Sequence, residues 1–142
     1  MKRFLPLAAL LSLFGLLAGC TSYEAQVDRG RPLTGVHRFF VLTSPNDGHG
    51  LDHQIAAALT TRGHQAETGP VTMLPEDSDA IVVYQDHWTW DFGDHLLYLQ
   101  ITVRDRKSSQ SYGTVTFSAK VPTSKPPAEI ADELVGKLFA KP

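Results

Sequence analysis

The sequence predicts an α+β fold: a two-layer sandwich with two helices on one face of a mostly antiparallel sheet of four to five strands, ordered β-α-β-β-β-β-α. Three observations predict it. Residues 80–121 are dominated by alternating apolar and polar positions, the pattern of a sheet with one buried face. Residues 51–62 and 128–140 switch to helical spacing. Clusters of Pro, Gly, Asn, Asp and Ser separate these segments. Helices that bury one stripe and a sheet that buries one face satisfy each other as two layers.

The elements follow in order. Val36 to Thr43 is rich in β-formers and ends at Ser44-Pro45-Asn46-Asp47-Gly48, so it reads as a first strand. Leu51, Ile55, Ala58 and Leu59 then fall on one face of a helix, with Asn46 or Asp47 able to cap its start and Gly63 placed to stop it. His64 to Thr68 is a short second strand, closed by Gly69-Pro70, and residues 71–78 read as a loop. Ala80 to Phe92 is the longest β-like run. Val82, Tyr84, Trp88, Trp90 and Phe92 share one parity, with Asp86 among them. A carboxylate on that parity predicts a bulge that shifts the register there, or a buried hydrogen-bonded acid. Gly93-Asp94 makes a turn. Leu96 to Asp105 returns with Leu97, Leu99, Ile101 and Val103 inward, and Arg106 to Gln110 makes a second, exposed turn. Ser111 to Val121 follows with Val115, Phe117, Ala119 and Val121 inward. After Pro122 to Pro127, residues 128–140 form a closing helix whose stripe is Ile130, Leu134, Val135, Leu138 and Phe139. Its acids lie early and its lysines late, as the helix dipole favours.

Ahead of this domain, Lys2 and Arg3 precede an apolar run from Phe4 to Ala18. The run is short of the roughly 20 residues a spanning helix needs and has the build of an export signal. It ends in Leu17-Ala18-Gly19-Cys20, and Cys20 is the chain's single cysteine. These four residues resemble the lipobox of bacterial lipoproteins. The resemblance implies cleavage before Cys20, a thioether-linked diacylglycerol and an N-acyl chain. Thr21 stands where Asp would favour inner-membrane retention in such lipoproteins, which implies an outer-membrane lipoprotein facing the periplasm. The expected organisation is therefore a signal peptide over 1–19, a lipidated Cys20 with a flexible tether over 20–35, and one domain over 36–142. The tether reading rests on the polar mixture from Thr21 to Gly35, in which packing of Tyr23 and Val27 would order a part.

Removing Lys2 and Arg3 from the 13 basic residues leaves 11 against 15 acidic ones, a formal charge of −4 with His neutral. A mildly acidic domain is a poor partner for nucleic acid. With Cys20 committed to lipid, the fold must rest on its apolar core and not on disulfides.

Three groups could carry chemistry. Asp47, His49, Asp52 and His53 offer oxygen and imidazole donors over seven residues, as a divalent metal needs. They also straddle a helix start, where polar residues serve as caps. Asp86, His87, Asp91, Asp94 and His95 cluster near the hairpin tip, but His87 and Asp91 lie roughly 13 Å apart along a strand. That is too far for one coordination shell without His95 from across the turn, and a solvated polar hairpin end is the reading preferred; no metal or cofactor beyond the covalent lipid is expected. Tyr84, Trp88, Trp90 and Phe92 offer aromatic faces that pack against helices or meet a partner, and Trp88, Trp90 and Phe92 are the candidate binding residues. No Gly-x-Ser-x-Gly elbow or Gly-Lys-Ser/Thr phosphate loop is present.

Val103-Arg104-Asp105-Arg106, the polar turn after it, Tyr112-Gly113-Thr114-Val115, and Leu59-Thr60-Thr61-Arg62-Gly63-His64 resemble segments of small periplasmic lipoproteins. Lipoproteins that assist lipopolysaccharide assembly or activate peptidoglycan synthases are similar in layout. The likeness is one of architecture over 36–142 and implies no functional residue. The expected function is a non-enzymatic binding or scaffold module, tethered to the membrane and joined to an envelope protein. The alternatives are a glycan- or lipid-binding module using the aromatic hairpin, and a metal-dependent enzyme using the His/Asp groups.

Overall fold

The computed structural model describes residues 21–140; the expected signal peptide and lipidated Cys20 lie outside them. Six strands form one sheet: β1 (Thr21–Val27), β2 (Arg38–Leu42), β3 (Gln65–Gly69), β4 (Ala80–Trp90), β5 (Asp94–Asp105) and β6 (Ser111–Ala119). Two helices, α1 (Leu51–Thr61) and α2 (Pro127–Leu138), complete the expected α+β fold. The order across the sheet is β1-β6-β5-β4-β2-β3. β2 pairs in parallel with β3 and β4, and the other pairings are antiparallel.

The helices cover one face. Val41, Val82, Leu99, Ile101, Val103, Val115 and Phe117 from the sheet meet Leu51, Ile55, Leu59, Ile130, Leu134 and Val135, all essentially inaccessible to water. Each such side chain contributes about 1.5–3 kcal/mol by leaving water. The helix stop at Gly63 is as expected, whereas the N-cap position of α1 is Gly50 and Asp47 serves the helix start from three residues before it. Asp47 Oδ2 accepts from Leu51 N at 2.7 Å and capped α1 begins there. Gly63 takes φ of 87°, letting His64 N reach Leu59 O at 3.2 Å and close the helix. Pro127 opens α2, where its missing N–H costs nothing. Arg62 ties the two helices together: it donates to Ala58 O, to Asp132 Oδ1 at 2.6 Å and to Asp132 O at 2.9 Å.

Three expectations are corrected. The sheet has six strands, because Thr21–Val27 is not a flexible tether. It pairs with β6 along its whole length, from Thr21 opposite Ala119 to Val27 opposite Gly113. Tyr23 packs its ring 5.2 Å from Phe117, Ser22 Oγ meets Ser118 Oγ at 2.7 Å, and Lys125 Nζ reaches the Tyr23 hydroxyl at 3.5 Å. Gly113 eases the close approach: a Cβ there would fall 3.1 Å from Gln26 O and 3.2 Å from Val27 Cα, a tight fit. Leu33, within a short turn of 3-10 helix, is also buried, so the folded unit takes in residues ahead of 36, among them β1.

The second correction concerns the bulge. The β4–β5 register does shift, but between His87 and Trp88, where Tyr98 and Leu96 are the successive partners. The extra residue is therefore Leu97, on β5. Leu96 is buried in its place, and Asp86 keeps the parity of Tyr84 and Trp88. The third correction is Val121, expected inward but lying past the end of β6 and exposed.

Candidate functional site

The features that stand out from ordinary core packing gather at one end of the sheet. β4 and β5 run on past their neighbours into a hairpin, and the 43–50 loop leaves β2 at the same end. Asp47 holds that loop to the hairpin. Its carboxylate accepts from the Tyr84 hydroxyl at 2.7 Å, His49 N at 2.8 Å, Leu51 N at 2.7 Å and Asp52 N at 3.4 Å. The Tyr84 oxygen in turn accepts from Ser44 N at 3.2 Å. Partial burial pushes the Asp47 carboxyl up, but the bonds from Tyr84 and the three amides outweigh it and hold it below its ordinary range. Burial drives the Tyr84 phenol well above its usual value, and its bond to the Asp47 carboxylate adds to the rise. Asp52, buried beside them, accepts from Thr43 Oγ1 at 2.7 Å and from His53 N at 2.8 Å.

With the loop fixed, His49 lies on the Trp88 indole, ring centroids 3.7 Å apart and planes within 10°. Its Nε2 sits 3.1 Å from Asp94 Oδ2. Trp88 Nε1 donates to Asp86 Oδ2 at 2.6 Å, which explains the carboxylate on the aromatic parity: it is half-buried and hydrogen-bonded. Trp88 is thus part of the hairpin's bracing and only partly available to a partner.

The tip beyond it is open. Trp90 is 72% exposed and Phe92 97% exposed, their rings 6.0 Å apart and tilted by 37°. Phe92 has φ of 51°, a left-handed conformation that costs a non-glycine residue about 1–3 kcal/mol. Asp91 N donates to Gly93 O, and His95 Nε2 donates to Asp91 O at 2.9 Å, closing the turn.

The two His/Asp groups do not assemble. His53 is exposed while Asp52 turns inward; His87 faces away on the opposite parity from Trp88. His49 and Asp94, one from each group, meet at 3.1 Å, and His53 Nε2 lies 3.9 Å from Asp52 Oδ1. Among the described residues no three His, Cys, Asp or Glu side chains converge as a metal site.

The sheet face away from the helices offers a feature that sequence reasoning missed. Glu24, Gln26, Tyr98, Gln100, Thr114 and Thr116 line a shallow polar depression of about 330 Å³. Thr102 and Thr114 hydroxyls meet at 3.1 Å, and Gln100 Nε2 donates to Thr116 Oγ1 at 3.3 Å. The outward parity of β5 and β6 was legible, but the wall from β1 was not. Among the described residues no helix is long and apolar enough to cross a membrane.

The molecule is thus a small α+β sandwich with a braced aromatic hairpin at one end and a polar open face. Its shape is shared with the PelC dodecamer from Paraburkholderia phytofirmans, at a TM-score of 0.63 and 11% identity over 86% of this chain and 99% of that one. A single-substitution variant of that dodecamer gives a TM-score of 0.62 at 12% identity, with the same coverage. At these identities the likeness is one of fold. A minor lipoprotein from Acinetobacter baumannii overlaps at a TM-score of 0.39 and 13% identity, over 72% of this chain and 90% of that one, too loosely to carry an argument. No family model and no curated protein sequence matches the chain.

Proposed function

We propose that the chain is a membrane-anchored lipoprotein of the bacterial envelope, at the outer membrane facing the periplasm, that works by binding as a scaffold or adaptor and not by catalysis. One observation carries the reading. Thr21, the residue that follows the cysteine of the lipobox-like motif, is already in the sheet, paired with Ala119. The anchor and the domain are therefore one continuous piece, with the acyl chains joined directly to an edge strand. The open face of β5, β6 and β1 is the surface offered to a protein partner: its hydroxyl and amide groups suit a polar contact, and β1 leaves an edge for further strand pairing. The fold shared with a dodecameric protein makes other copies of the chain candidates for that partner.

A photoreactive side chain at Gln100 or Thr116 in living cells tests this. The expected product is a protein adduct, either an envelope protein or a second copy. Recovery of glycan alone at these positions would replace the scaffold reading with a glycan-binding one. The exposed Trp90 and Phe92 favour lipid over glycan as a second ligand, because rings tilted by 37° do not offer a flat platform for a sugar.

A further inference from the structure

The sheet register fixes where the anchor stands relative to the aromatic tip. Ser22 lies opposite Ser118, Ser118 opposite Tyr98, and Tyr98 opposite His87. Thr21 is one residue beyond that level, and Trp90 is three residues beyond it. Both point toward the same end of the sheet. Trp90 therefore overshoots Thr21 by two residues, about 7 Å, and stands three strand spacings to the side, about 14 Å. The Cα of Cys20 is within about 3.8 Å of that of Thr21 by covalent geometry. Val121, 57% exposed, lies two residues past Ala119, the partner of Thr21, at the same end.

From this we infer that the hairpin tip is a membrane-docking element: Trp90 and Phe92 enter the lipid interface beside the acyl chains of Cys20 and fix the orientation of the domain. The inference rests on the lipidation of Cys20. With Thr21 already held in β1 opposite Ala119, no flexible tether follows Cys20 to hold the tip away from a bilayer. The occupant follows from the chemistry. Trp is favoured at the headgroup level of a bilayer, where an amphipathic ring has one apolar and one wet side. Interfacial elements bury their apolar face about 5–10 Å deep, which matches the overshoot of the tip. Phe92, nearly fully exposed on a left-handed backbone, is unfavourable in water on both counts, and insertion relieves the first. The bracing of the loop by Asp47 and of Trp88 by His49 keeps the tip in place. Asp91 and Asp94 flank the rings, so apolar insertion and not attraction to anionic lipid holds the tip.

The test uses the full lipidated chain in vesicles of phosphatidylethanolamine and phosphatidylglycerol with a nitroxide label high on the acyl chains. Trp88 and Trp90 are the two tryptophans. Trp90→Phe leaves Trp88 as a control, and the circular dichroism of each variant checks its fold. The expected result is about a twofold drop in emission on adding labelled lipid, lost in Trp90→Phe, as an indole at headgroup depth requires. Emission quenched by aqueous iodide but not by labelled lipid overturns the inference. So does protection from both, which would mean that a protein or a second copy covers the tip. The mass of the N-terminal peptide is read in parallel. An unmodified Cys20 sinks the anchoring reading itself, whereas a lipidated Cys20 with an unquenched Trp90 sinks the docking inference alone.

Discussion

On the proposed anchoring, changing Cys20 to Ser is expected to abolish labelling of the chain by palmitate and to remove the mature form from the membrane fraction, leaving soluble domain or an uncut precursor. The effect is close to all-or-none because the anchor is additive in methylenes. Each buried CH₂ contributes about 0.8 kcal/mol, one chain alone gives reversible binding with a constant on the order of 10⁴ M⁻¹, and stable attachment takes two. On that proposal, losing the thiol loses the diacylglycerol and the cleavage that would expose the amine for the third chain. The hairpin cannot compensate, since two rings bury far less apolar surface than two acyl chains. The fold itself is expected to be unchanged. Residue 20 precedes the first residue of β1, and the contacts that seat β1 come from Ser22, Tyr23 and the backbone pairs with β6. A purified Cys20→Ser domain should therefore unfold at the same urea concentration as one cleaved after the lipidated residue. Unchanged palmitate labelling and unchanged fractionation would end the lipoprotein reading.

How much of this was legible in the sequence depended on how much each segment buries. The meander and both helices were, because their periods are written in Val, Ile, Leu and Phe that become the core. β1 was not. Thr21 to Val27 does alternate, with Tyr23, Ala25 and Val27 on one parity and Ser22, Glu24 and Gln26 on the other. However, Tyr23 is the one residue of the seven that is more than slightly buried. An edge strand with one anchor residue has the composition of a linker, and the strand exists because β6 presents it with a ladder and with Gly113. The bulge was sensed through Asp86, but the extra residue fell on the partner strand. A single strand's parity cannot say which member of a pair carries it. The site divides in the same way. The exposure of Trp90 and Phe92 follows from their place at the end of a long hairpin, which the helices do not reach. The bond between Tyr84 and Asp47 joins residues 37 apart and has no local signal.

That bond sets up the second large effect. Asp47→Ala removes an acceptor that serves four donors: the Tyr84 hydroxyl and the amides of His49, Leu51 and Asp52. Bonds to a charged group are each worth about 1.5–3 kcal/mol, and a donor left unpaired in a partly buried site adds its desolvation cost. The loss of a helix cap alone is typically about 1 kcal/mol. These costs overlap, so the expected loss is about 2–4 kcal/mol, a large share of the roughly 5–15 kcal/mol that holds a small domain. Tyr84→Phe removes one of the four and leaves the cap intact, so it should cost about 1 kcal/mol. The acid limb of the stability curve separates the two variants further. The Asp47 carboxyl titrates lower folded than unfolded, so its stabilisation is fully present above its unfolded value of about 3.9 and is lost as pH falls through the folded one. Asp105, held down to about 2 by Ser108 N and the Tyr112 hydroxyl, fades in the same direction. Unfolding free energies from urea titrations at pH 7 and at pH 3 should therefore converge for wild type and Asp47→Ala at the lower pH. For Tyr84→Phe the gap to wild type is smaller at pH 7. A loop released from Asp47 also frees His49 from Trp88, so near-ultraviolet dichroism of the indole should weaken in Asp47→Ala before the domain unfolds. An Asp47→Ala domain as stable as wild type, with its Trp88 signal intact, would mean that the hairpin stands without the brace, and that the orientation of Trp90 and Phe92 is set by the sheet alone.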